Sequence, residues 1–268
     1  MATVIAITNQ KGGVGKTTTS INVAYFLAKL GKRTLLIDFD PQGNASSGLG
    51  IDKTTLGATM SDVINGQQTL GAIIIETAFK NLWLAPTTAV LANTETELAQ
   101  QERRFSRLKL AIEPIQEQYD YILIDCPPSL SLLTVNGLIA ARYVLLPVQA
   151  EFYALEGLGQ LLETMKLIRH GMNPGLDLLG VLPTMLDSRT TLSNQVHEEI
   201  KRHFPGKVFA TTIPRNIRLA EAPSHGIPIG VYDKFSKGAR AYKALAKEVI
   251  ERVEGHPLPV KNKGEVAV

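Results

Sequence analysis

A glycine-rich stretch and three carboxylates in the first half of the chain have the types and spacing of a phosphate site. The stretch Gln10-Lys11-Gly12-Gly13-Val14-Gly15-Lys16-Thr17-Thr18 leaves a β-branched apolar run and opens a helical pattern. Glycines 12, 13 and 15 carry no Cβ, so backbone N–H groups can crowd an anion and φ can turn positive. At this spacing the Lys16 ammonium reaches the β- and γ-phosphates and the Thr17 hydroxyl can bind Mg²⁺. The helix that follows aims its positive end at the same anion. The stretch also departs from G-x-x-x-x-G-K-[ST]: Gln10 stands where the first glycine belongs, and a second lysine, Lys11, lies inside the loop.

The carboxylates end apolar runs. Asp125 closes Tyr121-Ile122-Leu123-Ile124, the form of a Walker B strand, and would hold Mg²⁺ through water opposite Thr17. Asp38 ends another such run. Asp40 lies two residues further on, so the two side chains alternate about Phe39 while the chain stays extended. An acceptor at this place can align water with the leaving oxygen of a γ-phosphate.

These groups need elements to position them. A helix is expected over 17–30, with Ile21, Ala24, Tyr25 and Ala28 on one face and Gly31 as its C-cap. A strand over 33–38 is apolar on both faces, as in a buried parallel sheet. Residues 45–115 are less patterned, with helices near 57–65, 88–101 and 105–113 and a short strand at 82–85. Strands then fall at 119–125, 143–148, 177–182 and 208–213, and helices at 130–140, 154–170, 191–203 and 236–253. This alternation predicts a single α/β domain over 1–254, a mostly parallel twisted sheet covered by helices on both faces, with a polar tail at 255–268. Ligands of such sheets sit at the carboxyl ends of the strands, where the loop, Asp38, Asp40 and Asp125 all fall.

Composition narrows the class. The 268 residues are 44% hydrophobic and 20% charged, ordinary for a globular chain. One cysteine, Cys126, excludes a disulfide framework and a cysteine-based cluster within one chain, so a reduced cytoplasmic setting is expected. No apolar run has the ~20 residues of a membrane span, and the N-terminus lacks the basic start of a signal peptide. Net charge is only +3, but residues 201–247 hold ten basic side chains against Glu221 and Asp233. Such a block predicts an anionic partner.

Lys11-Gly12-Gly13-Val14-Gly15-Lys16-Thr17-Thr18 resembles the deviant Walker A box of the ParA/MinD group of P-loop ATPases, and Asp38-Phe39-Asp40-Pro41-Gln42-Gly43-Asn44 resembles its second acidic motif. The likeness covers nearly the whole chain and is nearest to the short chromosomal ParA (Soj) type. It implies ATP and Mg²⁺ as cofactors and an ATP-dependent homodimer in which Lys11 reaches the partner's nucleotide. It implies that Asp40 orients the attacking water and that Asp38 lies near the metal. Thr211-Thr212-Ile213-Pro214-Arg215-Asn216 matches the group where it borders adenine, which assigns base contact to Pro214 and Asn216. Met185, on the loop after strand 177–182, is read as loop packing or as a neighbour of the base. Two readings of Glu151 stay open, a residue near the dimer interface or a plain helix N-terminal acid.

The basic block points to DNA. On the last helix Lys237, Arg240, Lys243 and Lys247 share about one face, with Ala241, Leu245, Val249 and Ile250 opposite. The resemblance adds Arg189 and Arg218. One chain offers few phosphate contacts for strong binding, so non-specific double-stranded DNA binding is expected to need two chains joined by ATP. The resemblance further implies nucleoid association and release by a ParB/Spo0J-type centromere-binding partner that stimulates slow hydrolysis. The competing reading is a MinD-like membrane-associated regulator of the division site. It would need an amphipathic C-terminal helix, and the two prolines of the tail break that pattern, so stable membrane association is not expected. A reductase ATPase of the nitrogenase-iron-protein type would need two cysteines per chain.

Overall fold

The computed structural model of the chain describes residues 1–151, 158–187 and 189–255. Strand β1 (Thr3–Ile7) feeds the glycine-rich loop and α1 (Lys16–Lys29); β2 (Thr34–Asp38) feeds the acidic turn and α2 (Asn44–Gly48). Then follow α3 (Met60–Ile64), α4 (Leu70–Ile73), β3 (Ile75–Glu76), β4 (Leu82–Ala85), α5 (Leu91–Leu98) and α6 (Arg107–Ile112). The second half runs β5 (Tyr121–Asp125), α7 (Leu132–Ala140), β6 (Tyr143–Gln149), α8 (Leu158–Gly171), β7 (Asp177–Thr184) and α9 (Thr191–His203). It closes with α10 (Ile217–Glu221), α11 (Ile229–Tyr232) and α12 (Lys237–Glu254).

One sheet has the order β3-β4-β2-β5-β1-β6-β7, and only the short β3 is antiparallel to its neighbour. Along β1, Val4 and Ala6 enter one core while Ile5 and Ile7 enter the other, as strands covered on both faces require. The Ile5 side is covered by α1 and α12 through Ile21, Leu27, Tyr242 and Leu245. The Val4 side takes Leu108 of α6, Leu133 of α7, Leu161 of α8 and Ile200 of α9. Of the tail expected at 255–268, only Gly255, a left-handed C-cap to α12, lies within the described residues.

Two expectations are corrected. The segment 208–213 is no regular strand: it runs beside β7 and bridges it at Val181–Val208, and a second bridge, Leu186–Pro214, falls just past both. The Ala210 and Thr211 N–H groups go instead to the Glu248 carboxylate of α12, at 2.8 and 2.9 Å. Strand β7 continues through Pro183 to Thr184, which an edge strand tolerates. On α12 the buried stripe is Gly238, Ala239, Tyr242, Leu245, Ala246 and Val249, which includes Leu245 and Val249 of the expected face, while Ala241 and Ile250 are half-buried against the same core.

Gly180 marks the closest approach in this region. The β6–β7 register shifts between Val144 and Leu145, so that Val144 faces Leu178 and Leu145 faces Gly180. A Cβ on Gly180 would lie 2.7 Å from the Lys207 carbonyl and 2.7 Å from the Phe209 ring. That carbonyl is pinned by the Val181 N–H at 2.8 Å, so it cannot move aside cheaply. Gly180→Ala is expected to cost about 2 kcal/mol and to lower the thermal midpoint by roughly 5 °C. A calorimetric midpoint equal to the parent's would show that the crossing segment yields.

Candidate nucleotide site and basic face

Two left-handed glycines shape the loop, Gly13 at φ 76° and Gly15 at φ 88°; Gly12 contributes space without a positive φ. Gly15 precedes the first turn of α1, and no side chain caps that turn. Its N–H groups therefore remain available to an anion above the strand ends. Neighbouring strands brace the loop. Asn9 donates to the Pro147 carbonyl at 2.7 Å and accepts the Lys11 N–H at 3.0 Å, and Thr184 donates to the Val14 carbonyl at 2.8 Å.

The two lysines of this one loop diverge. Lys16 is buried and donates to the Lys11 carbonyl at 3.2 Å. Burial lowers its pKa, while Asp125 and Asp40 pull the other way. Lys11 leans outward, with its Nζ 3.3 Å from Glu151 at the end of β6. Glu151 also accepts the Gln149 side chain and lies 4.0 Å from Arg215. Both partners of the Lys11 pair are nearly half exposed, so it contributes well under ~1 kcal/mol and breaks readily. Residues 152–157, which follow Glu151, lie outside the described residues.

Asp38 and Asp125 face each other in register on β2 and β5, both fully buried. Asp38 accepts the Ser46 N–H and hydroxyl, each at 2.7 Å, and Asp125 accepts the Ser20 hydroxyl at 2.7 Å. Their remaining oxygens, Asp38 Oδ1 and Asp125 Oδ2, have no partner. Burial, with the Asp125 charge added, pushes Asp38 up to about 8. Burial likewise raises Asp125 to about 6 against the pull of Ser20 and Thr17. Two buried carboxylates with orphaned oxygens beside a threonine hydroxyl fit a divalent cation, which supplies the missing positive charge. Among the described residues no group of three or more His, Cys, Asp or Glu forms a metal cage. That suits Mg²⁺, which uses one or two carboxylates and fills its other positions with water and phosphate oxygens.

Asp40 sits just past β2, 7% exposed, in a turn where its Oδ1 takes the Gln42 N–H at 3.0 Å and its carbonyl the Gly43 N–H at 2.8 Å. Cys126, next to Asp125, is wholly buried, and burial pushes its thiol far above the usual range.

Beside the loop a cavity of about 310 Å³ takes Gly15 and Thr18 on one side and Met185, Pro214 and Asn216 on the other. Met185 holds a φ of 52°, strained for a non-glycine residue. Asn216 caps α10 by accepting the Arg218 N–H at 2.9 Å, which fixes that wall. The sequence reading missed Tyr242, whose ring closes the cavity and whose hydroxyl meets Thr19 of α1 at 3.1 Å. A signal existed: a tyrosine in the buried stripe of an amphipathic helix needs a partner for its hydroxyl. A larger cleft of about 640 Å³, lined by Arg103, Arg104 and Phe105, shares no residue with this cavity or with the loop and carboxylates.

The basic block is not one patch. Lys201 pairs with Glu198, Lys207 with Asp177, and Arg218 with Glu221 at 2.9 Å while also approaching Asp233. Arg189 is held by Asp187 through two bonds of 2.9 and 2.7 Å. Lys237, Arg240, Lys243 and Lys247 are exposed on α12, and none forms an ion pair among the described residues.

A parallel sheet with a two-lysine phosphate loop and in-register strand-end aspartates defines a P-loop NTPase of the deviant Walker A class. Residues 2–178 match the family described as AAA domain. The sporulation initiation inhibitor protein Soj of Bacillus subtilis is 55% identical over 93% of this chain and 98% of its own length. The chromosome partitioning protein ParA of Myxococcus xanthus is 49% identical over 93% and 88%. A structure of cobyrinic acid a,c-diamide synthase from Mycobacterium smegmatis with bound ADP and magnesium superposes at a TM-score of 0.85, 37% identical, covering 97% of this chain and 98% of that one. The cell division ATPase MinD of Pyrococcus furiosus superposes at 0.78, 27% identical, over 94% and 99%. The chain belongs to the ParA/MinD superfamily of P-loop ATPases, on its Soj/ParA branch.

Proposed function

We propose that the chain is an ATP-dependent DNA partition ATPase that binds DNA non-specifically as an ATP-bound sandwich dimer. The divergence of the two loop lysines carries this reading. Lys16 is buried in its own subunit's site, whereas Lys11 is exposed and held only by a weak pair, so it is free to serve a neighbouring subunit's phosphates. ATP and Mg²⁺ are the cofactors. Lys16 and the loop N–H groups would hold the β- and γ-phosphates, Thr17 and, through water, Asp125 would hold the cation, and Asp38 would lie near it. A cation held there would neutralise charge on the phosphates. Asp40 orients water for attack on the γ-phosphorus, which yields ADP and phosphate. The base lies in the cavity walled by Pro214 and Asn216. A ParB-type partner stimulates the step and so ends the DNA-bound state.

A membrane regulator needs a helix with an apolar face to offer, and that of α12 is spent in the core. Among the described residues no helix is long and apolar enough to cross a membrane. Co-sedimentation with DNA in ATP, ADP and no nucleotide tests the proposal, with anionic liposomes in parallel. DNA recovery is expected only with ATP; recovery with liposomes alone would favour the MinD-like reading.

A further inference from the structure

We infer that Phe235 makes an apolar contact in the DNA groove at the head of the basic face, an inference that rests on the DNA-binding reading above. Phe235 is 77% exposed, against 38% for Phe105, the other exposed phenylalanine among the described residues. Phe235 is not on a loose loop. Its N–H donates to Asp233 Oδ1 at 3.2 Å, and the next residue, Ser236, caps α12 by accepting the Ala239 N–H at 3.1 Å. Its backbone is therefore held two residues ahead of the helix, next to the cap. Lys234 lies 5.0 Å from its centroid, and Lys237, Arg240, Lys243 and Lys247 follow. No carboxylate interrupts residues 234–247.

Charge complementarity calls for an anionic partner, and the ring calls for one with apolar surface between its charges. B-DNA has both, since sugars and base edges line the groove between phosphates, and phenylalanine is a side chain used there. A lipid surface also has both. However, a single phenyl ring is a weak membrane anchor, and the apolar stripe of α12 that would have to join it is buried.

A phosphate contact releases counterions and an apolar contact does not, so a salt titration separates the two. The full chain is titrated with a labelled short duplex in ATP and Mg²⁺ at several salt concentrations. Phe235→Ala is expected to weaken binding about tenfold at every salt, giving a line of log affinity against log salt parallel to the parent's. Phe235→Leu is expected to recover most of the loss. Lys243→Ala should instead flatten the line, by about 0.9 for each phosphate that is no longer neutralised. Sedimentation velocity in ATP should show equal dimer in the parent and Phe235→Ala.

Superimposed lines for the parent and Phe235→Ala would overturn this inference alone. So would a weakening that comes with a shallower slope, which would make the ring only a spacer for lysines, or a failure to dimerise. Release of Phe235→Ala from anionic phosphatidylglycerol vesicles with DNA binding intact would assign the ring to lipid. A parent chain that binds no DNA in ATP would overturn the proposed function together with the inference.

Discussion

Lys16→Ala is expected to reduce affinity for Mg·ATP by at least ~100-fold, the removal of a charge-assisted phosphate interaction of about 3 kcal/mol. Lys16 is already largely buried in the free protein and burial lowers its pKa, so much of its desolvation precedes nucleotide binding. Its stand-in partner is the Lys11 carbonyl at 3.2 Å, a neutral acceptor that a phosphate oxygen readily outcompetes. Titration calorimetry gives the affinity, and a thermal melt shows whether the fold survives. Retained tight binding would remove Lys16 from the phosphate site.

Asp40 has the second large effect, and on a different observable. Asp40→Ala is expected to slow hydrolysis by about 10²- to 10³-fold while ATP binding and ATP-dependent DNA recovery persist. The carboxylate also holds its turn through the Gln42 N–H, so alanine alone would confuse turn with chemistry. Asp40→Asn keeps that acceptor and removes the charge. Phosphate release should be as slow in Asn as in Ala. An Asn variant turning over near the parent's rate would leave Asp40 with only a structural role.

The central strands, the loop and the strand-end aspartates were legible in the sequence because their signals are local. An apolar run on both faces of a sheet needs no alternation, and glycine beside lysine and threonine has few other uses. What escaped depended on contacts distant in sequence. The segment 208–213 has strand composition, but the N–H groups of Ala210 and Thr211 turn from β7 to Glu248, which lies 38 and 37 positions away. Tyr242 meets Thr19 across more than two hundred residues. The short α2, α4, α10 and α11 are too brief for periodicity to register, and their ends are set by tertiary bonds such as Ser46 to Asp38. The basic block was counted correctly as charge but not as surface: Lys201 and Arg218 pair with acids three residues away on their own helices, and Lys207 with Asp177, which only the fold places beside it.

Where 208–213 fails to complete a ladder, Arg252 of α12 takes the unspent carbonyls. Its guanidinium donates to Leu179 at 3.0 Å and Val208 at 2.7 Å, stacks 4.0 Å over the Phe209 ring and is held by Glu248. The helix that carries the exposed lysines is thereby riveted to the edge of the sheet. A riveted helix is a poor lever, so nucleotide has little scope to raise DNA affinity by swinging it outward. What remains adjustable is valence. Two rigid faces on one scaffold make the second engagement intramolecular, governed by effective concentration rather than by any new contact. On that view DNA residence is switched by counting subunits, and cutting the dimer in two is enough to let go.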